Sequence, residues 1–471
     1  MNNLIYNKVK NFEEREDLYV LPINDHYIIY SPLRNITALS NKTAVQYLYD
    51  YLIKKEVNPG KQKAIDFLLK AVQNSAILMP SEPKDNPDPY FLGLIPTRTC
   101  NGACLYCGFE NDGKSNKKMS YQMIIAAIDW MANRMKQLDK KRLEIHFFGG
   151  EPLCAPDIVS VAVHYARMIA DQNDLIPYFE ISTNGFVYER TTRFITDFFN
   201  SVVLSLDGPE DIQNIQRPMR NEQNSFELAV RFAKTVSESN TELFLRACIS
   251  SANVNRMPDI AEWFCNTIKP SMINFERLKS SKKSEDAGLF EPDAYLFAKQ
   301  FYRSLQVGDR YGVDIVNSSS VSEIPQFSSC PVGKDTLIVT PEGKINSCYL
   351  FPWRWEERGL DLSVGEIKKG IMKISPERMI KLRATVKEKP RCTSCFCKWI
   401  CAGGCHVDVT YPGSIAFYDN YCKQTRILGV IKLLRKINQH QLLEAFLGDD
   451  QQLENFSMQR SDRLVDWTEN E

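Results

Sequence analysis

Between Tyr90 and about Arg310, six apolar strand-like runs alternate with amphipathic helical runs, and few folds can absorb such a rhythm. The runs are FLGLI (91–95), LEIHFF (143–148), YFEIST (178–183), VVLSL (202–206), LFLRACI (243–249) and INFERL (273–278). Repeated βα units of this kind predict a parallel sheet, because parallel neighbours need a crossover long enough to hold a helix. The chemically distinctive residues come just after the runs, at the carboxyl ends of the expected strands. Barrels and open α/β sheets place their ligands there.

The whole chain has 471 residues, more than one core at roughly 150 residues per domain. Ahead of the βα region, residues 18–39 read as two or three short strands, and 42–54 and 61–73 carry apolar residues at helical spacing. Residues 1–80 are therefore expected to form a small α+β domain, and the proline-rich, charged stretch 81–89 a linker. The βα region is taken as 90–310. After a Ser-rich turn at 318–329 the rhythm stops and cysteines cluster, which sets off 318–429 as a Cys-rich domain. A helix and a polar, frayed tail are expected over 430–471.

Lys plus Arg and Asp plus Glu are both 58, so no general basic field exists to draw in nucleic acid or an anionic membrane. No apolar run reaches the ~20 residues that cross a bilayer. The expectation is a cytoplasmic protein with neither nucleic acid nor membrane as partner. In that compartment fourteen cysteines are poor disulfide candidates, and with only five histidines they favour thiolate-rich iron-sulfur or zinc sites.

Cys100, Cys104 and Cys107 form C-x3-C-x2-C on one loop after the first strand. Three thiolates so spaced can hold three irons of a cubane and leave the fourth open. Half a zinc knuckle is the alternative, but its third cysteine would be unpaired and no histidine lies near. Gly149-Gly150-Glu151-Pro152 follows the second strand, Thr183-Asn184-Gly185 ends the third, and Ser205-Leu206-Asp207-Gly208 ends the fourth. With the triad, these elements resemble the radical S-adenosylmethionine (SAM) superfamily.

The resemblance implies an α/β fold, a partial (β/α)6 TIM-like barrel, with a catalytic 4Fe-4S cluster whose open iron is chelated by SAM. It implies that backbone oxygens at Gly149, Gly150, Glu151 and Pro152 receive the SAM ammonium. Thr183, Asn184, Ser205 and Asp207 correspond to its ribose-side and carboxylate-side elements, and Arg217 to the arginine that pairs with the SAM carboxylate. Tyr106 would contact adenine through its backbone and Leu278 would flank it; the plain alternative for both is core packing. The reaction implied is cleavage of SAM to a 5'-deoxyadenosyl radical, with a flavodoxin- or ferredoxin-type protein as electron donor.

The later cysteines run C330-x12-G343-x4-C348, then C392-x2-C395-x5-C401-x3-C405, then C422. This spacing resembles the SPASM extension of peptide and protein maturases, which carries two auxiliary 4Fe-4S clusters. The resemblance assigns Cys330, Cys348 and Cys405 to one, and Cys392, Cys395, Cys401 and Cys422 to the other. A pair of zinc sites fits the same spacing. Where some sulfatase maturases supply a fourth thiolate to the first auxiliary cluster this chain has Thr336, which leaves Asp335, Cys397, a substrate thiolate or an open iron. Cys154, Cys248 and Cys265 sit in apolar settings and read as core residues.

For the substrate, two maturase classes compete. In anaerobic sulfatase maturases an Asp follows the second SPASM cysteine as base, whereas Tyr349 stands there in this chain. That favours modification of a ribosomally made precursor peptide through a thioether or carbon-carbon crosslink, with formylglycine formation second. Residues 1–80 would be a winged-helix-like domain that binds the leader peptide as an added strand, or a simple cap. The aromatic-basic run Phe351–Trp355 is either a peptide face or surface packing. A small-molecule substrate fits the same residues, and a non-catalytic iron-sulfur carrier would not need the GGEP, TNG and SLDG elements or Arg217.

Overall fold

The computed structural model describes residues 18–56, 66, 70, 75–80, 87–109, 117–320, 324–330, 332, 334–387, 392–407 and 419–467. They fall into two units, one within 1–82, 319–329 and 387–471, the other within 83–318 and 330–386. The helical spacing at 61–73 lies outside the described residues except for Asp66 and Lys70, and the linker stretch is described only from Pro87 onward.

In the smaller unit β1 (Tyr19–Ile23), β2 (His26–Ser31) and β3 (Ile36–Ser40) form an antiparallel sheet in sequential order. Asn24 takes φ 51° in the two-residue turn between β1 and β2, a left-handed conformation that Asn tolerates. Helix α1 (Lys42–Tyr49) starts at Asn41, whose side chain accepts from the Ala44 amide at 2.9 Å. Val20, Ile29, Val45 and Leu48 pack with Leu464 and Trp467 from the other end of the chain.

The larger unit is built on one sheet of order β10-β9-β8-β7-β6-β5-β4-β11-β12-β13-β14. Its strands are β4 (Leu92–Leu94), β5 (Arg142–Phe147), β6 (Ile176–Thr183), β7 (Ser201–Ser205), β8 (Glu242–Ile249), β9 (Met272–Arg277) and β10 (Asp314–Val316). All of these pair in parallel with their neighbours, as does β11 (Leu337–Val339) with β4. The largely parallel α/β sheet expected from the six runs is thus present, with each run on its strand. The seventh strand, β10, three residues long, was not among the six runs.

Crossovers between the strands carry α2 (Tyr121–Gln137), α3 (Pro156–Gln172), α4 (Glu189–Phe198), α5 (Glu210–Gln216), α6 (Ser225–Ser237), α7 (Met257–Thr267) and α8 (Ala294–Tyr311). Their starts are marked in the sequence: Ser120 caps α2, Pro156 opens α3 and Asn224 caps α6. Beyond β11 the chain reverses into antiparallel β12 (Lys344–Asn346), β13 (Ser363–Lys368) and β14 (Ile371–Ile374), followed by α9 (Pro376–Lys387).

The carboxyl-terminal region belongs to the smaller unit and differs from the frayed tail expected. After α10 (Asn420–Lys436) come α11 (His440–Gly448) and α12 (Asp450–Met458). Leu443, Phe446, Leu447, Leu453 and Phe456 are buried at helical spacing within an otherwise polar composition, which masked the amphipathic faces. Among the described residues no helix is long and apolar enough to cross a membrane.

Candidate functional site

The loop after β4 carries Cys100, Cys104 and Cys107 and is fastened by backbone to residues 216–220. Ala103 N donates to Pro218 O at 2.7 Å, Leu105 N to Gln216 O at 3.0 Å and Arg220 N to Asn101 O at 2.9 Å. Arg217 is thereby set beside the loop. Burial, then the charge of Glu151, pushes the Cys100 thiol up to about 12, and Cys104 and Cys107 add to the rise. Burial raises Cys104 as well, against the pull of Arg217. Such thiols keep their protons until a metal displaces them.

The Gly149-Gly150 turn after β5 lies against the same loop. A Cβ on Gly150 would sit 2.3 Å from Arg98 O and 2.4 Å from Thr99 O, and one on Gly149 2.7 Å from Thr97 O. Glycine is required here by loop-on-loop packing within the protein. Glu151 is 1% exposed, and its carboxylate accepts from Leu153 N (3.0 Å), Thr183 Oγ1 (2.8 Å) and Asn184 N (2.8 Å). It pins the turn after β5 to the end of β6. Asn184 then donates to Asn101 Oδ1 at 2.8 Å and approaches Cys100 Sγ at 3.8 Å, which returns the chain of contacts to the cysteine loop.

After β7, Asp207 is fully buried. It accepts from Tyr106 Oη at 2.6 Å and from Cys248 N at 3.0 Å, while Arg217 Nη1 donates to Tyr106 Oη at 2.7 Å and stands 3.9 Å from Asp207. Burial raises the Asp207 carboxyl, offset in part by Arg217. Burial works against the Arg217 charge, yet Cys104, Tyr106 and Asp207 outweigh it and hold the guanidinium charged. The Arg217 Nε is buried without a hydrogen-bond partner, so this cation retains a donor for one more acceptor. Ser205 ends β7, and buried Leu278 follows β9, where its amide donates to Ile249 O at 2.7 Å.

In the smaller unit Cys392, Cys395, Cys401 and Cys422 line one cavity, together with Cys397, Tyr421 and Arg426. Cys422 reaches it because Asp419 caps α10 and accepts from the Cys422 amide at 2.9 Å. Cys395 is pulled down to about 7, first by a hydrogen bond from Cys397, with Arg426 helping against burial. Cys405 belongs to this unit, Cys330 and Cys348 to the larger one. Among the described residues no group of three or more His, Cys, Asp or Glu is gathered as a single metal ion would need.

Residues 94–264 match the family described as the radical SAM superfamily. This stretch is a radical SAM domain. The chain is accordingly a radical SAM enzyme, and that class implies a 4Fe-4S cluster and SAM. A cysteine-type anaerobic sulfatase-maturating enzyme of Clostridium perfringens (strain 13 / Type A) is 22% identical over 330 residues, covering 65% of this chain and 85% of the relative. The solved structure of native anSMEcpe with bound AdoMet and Cp18Cys peptide, 17% identical, superposes with TM-score 0.59 over 75% of this chain and 99% of that one. Streptococcus suis SuiB bound to S-adenosylmethionine is 14% identical, with TM-score 0.48 over 83% of this chain and 95% of that one.

Around the radical SAM domain the structure also bears on three readings. Asp335 is no free ligand: it pairs with Arg383, whose Nε donates to its Oδ1 at 2.8 Å, and accepts from Asp88 N at 2.9 Å. Tyr349 packs against Phe148 at 4.4 Å between ring centroids, and a Cβ on Gly93 in β4 would come 2.9 Å from its hydroxyl, so that glycine makes its room. Burial, then Glu180 and Cys348, hold this phenol well above its ordinary range. In the run after Cys348, Phe351 stacks on the Arg98 guanidinium at 4.3 Å and Trp355 is buried, while Trp353 stays half-exposed. The pinning role of Glu151 and the Arg98–Phe351 stack have no signal in sequence spacing.

Proposed function

We propose that this radical SAM enzyme is a maturase that modifies a ribosomally made precursor peptide, forming a thioether or carbon-carbon crosslink at an unactivated carbon. The observation that carries the reading is the cavity in which Cys392, Cys395, Cys401 and Cys422 meet, four residues that the SPASM pattern assigns to one auxiliary cluster. Four thiols lining one cavity with an arginine beside them suit a cubane, whose irons take one thiolate each. In this reading the parallel sheet is the partial (β/α)6 TIM-like barrel.

Cys100, Cys104 and Cys107 would hold the radical SAM cluster. When bound, the cluster and SAM supply a 5'-deoxyadenosyl radical that takes hydrogen from carbon. The chain's own residues do the positioning. Arg217, charged and with Nε unpaired, offers a donor to the SAM carboxylate. Tyr106 and Asp207 fix the guanidinium, and Glu151 and Asn184 hold the turns after β5 and β6 against the cysteine loop. Gly149, Gly150, Pro152, Thr183, Ser205 and Leu278 complete the pocket. The antiparallel sheet within residues 1–80 would receive the leader, and a flavodoxin- or ferredoxin-type protein would deliver electrons.

The second reading, formylglycine formation, is favoured by the names of the sulfatase-maturating relatives. Tyr349 weighs against it, since a phenol is no carboxylate base. Coexpression with each short open reading frame found beside the gene, followed by mass spectrometry under anaerobic conditions, is the test. A loss of two hydrogens per crosslink supports the peptide reading; an unchanged peptide together with a converted sulfatase-type cysteine peptide supports the second.

A further inference from the structure

The Arg426–Asp462 pair lies inside the smaller unit, each residue 1% exposed. Burying two charges rarely gains over apolar packing of the same volume, because desolvation cancels their attraction. Its location suggests another use. Arg426 stands four residues after Cys422 on α10, hence on the same face, and it lines the cysteine cavity. Its Nη1 lies 3.7 Å from Cys395 Sγ and donates to Asp462 Oδ2 at 2.5 Å, while Nη2 donates to Asp462 Oδ1 at 2.8 Å and to Phe456 O at 3.0 Å. Asp462 is held in turn by Phe396 N at 2.9 Å and donates its own amide to Ser394 O at 2.9 Å. The cysteine segment, the cation and its counter-charge are one hydrogen-bonded knot.

We propose that Arg426 is a positioning residue that sets the reduction potential of the second auxiliary cluster, donating Nη1–H to the Cys395 sulfur, with Asp462 fixing and partly neutralising the guanidinium. The inference rests on the reading of these cysteines as cluster ligands. Reduction adds one negative charge to a cubane already surrounded by thiolates. A buried cation and an N–H donor on sulfur stabilise that added charge, so they raise the potential. Arginine suits the task because it stays charged when buried and its fork can serve carboxylate and sulfur together.

The experiment uses full-length protein, reconstituted anaerobically, with Cys100, Cys104 and Cys107 replaced by Ala so that the radical SAM cluster does not overlap the signal. Redox titration is followed by electron paramagnetic resonance, with iron and sulfide measured on every sample. Arg426→Gln should lower the midpoint of one cluster and leave the other in place; Asp462→Asn, which uncovers the cation, should raise the same midpoint. A merely structural pair would not move the two in opposite directions. Unchanged midpoints at full iron content overturn the proposal, as do shifts of the same sign. Should Arg426→Gln lose its cluster, Arg426→Lys decides: a retained cluster with a shifted midpoint supports tuning, and loss in all variants makes the residue structural and overturns it. Lack of auxiliary iron in the parent protein would instead be a failure of the cluster reading itself, and is seen before any substitution at 426.

Discussion

Replacing Glu151 by Gln tests whether the candidate site is held together by the contacts that join its loops. The carboxylate takes two donors on one oxygen and Asn184 N on the other. A Gln oxygen can keep the pair from Leu153 and Thr183, but its amide group then faces the Asn184 N–H. One hydrogen bond is lost and a buried donor is left unpaired, a cost of about 1–3 kcal/mol. For a unit of this size that lowers the melting temperature by roughly 2–4 °C per kcal/mol. Glu151→Ala, which abandons two backbone donors outright, should cost about 2–6 kcal/mol.

The pH dependence has a definite sign. Burial raises the folded Glu151 carboxyl above its ordinary 4.5, against the hydrogen bonds from Asn184, Leu153 and Thr183. Its contribution to stability is therefore full below 4.5 and is lost as pH rises through the folded value. Glutamine does not titrate, so the gap between parent and Glu151→Gln should be widest in mild acid and narrow as pH rises. Anaerobic thermal melts from pH 5 to 8 read this directly. Identical melting of the two proteins at every pH would refute the account of Glu151 as a buried pin, and a gap that widens with pH would refute the raised folded carboxyl.

Tyr106→Phe removes the hydroxyl that joins Arg217 to Asp207, and loss of about 1.5–3 kcal/mol of charge-assisted bonding should weaken SAM binding roughly 10- to 100-fold; equilibrium binding of SAM to the reconstituted protein measures it. Replacing Cys100, Cys104 and Cys107 together should abolish 5'-deoxyadenosine formation and lower iron from about twelve to about eight per chain if three cubanes are present. Gly150→Ala forces a methyl into Arg98 O and Thr99 O, which should destabilise by about 1–3 kcal/mol and reduce iron loading at the triad, read by iron analysis alongside melting.

The parallel sheet was legible because its signal is local: runs of buried strand residues at regular spacing, each followed by a helix with its cap. The motifs were legible for the same reason, lying within a few residues of strand ends. What the sequence hid depends on contacts distant along the chain. Asp335 could be seen as a spare carboxylate, but Arg383, 48 residues on, is needed to know that it is occupied. The folded terminal helices were hidden by composition, since a handful of Leu and Phe residues per helix suffices to bury one face. Asp462 read as part of a polar tail, and only the fold brings it to Arg426.

The motif elements that read separately as SAM contacts are not independent in the folded chain. Gly150 lies on Arg98 and Thr99, Glu151 ties Thr183 and Asn184, Asn184 reaches Cys100, and Arg217 is joined through Tyr106 to Asp207 while its own segment pairs with residues 101–105. Substitutions at Gly150, Glu151 or Asn184, whose contacts run to the cysteine loop, should therefore disturb the thiols as well as the cofactor pocket. Loss of 5'-deoxyadenosine alone does not identify a SAM contact here. A residue acting on SAM should keep full iron and lose binding, whereas one acting on the cysteine loop should lose iron first; Tyr106, whose hydroxyl serves Arg217 and Asp207, belongs with the former, and Gly150 with the latter.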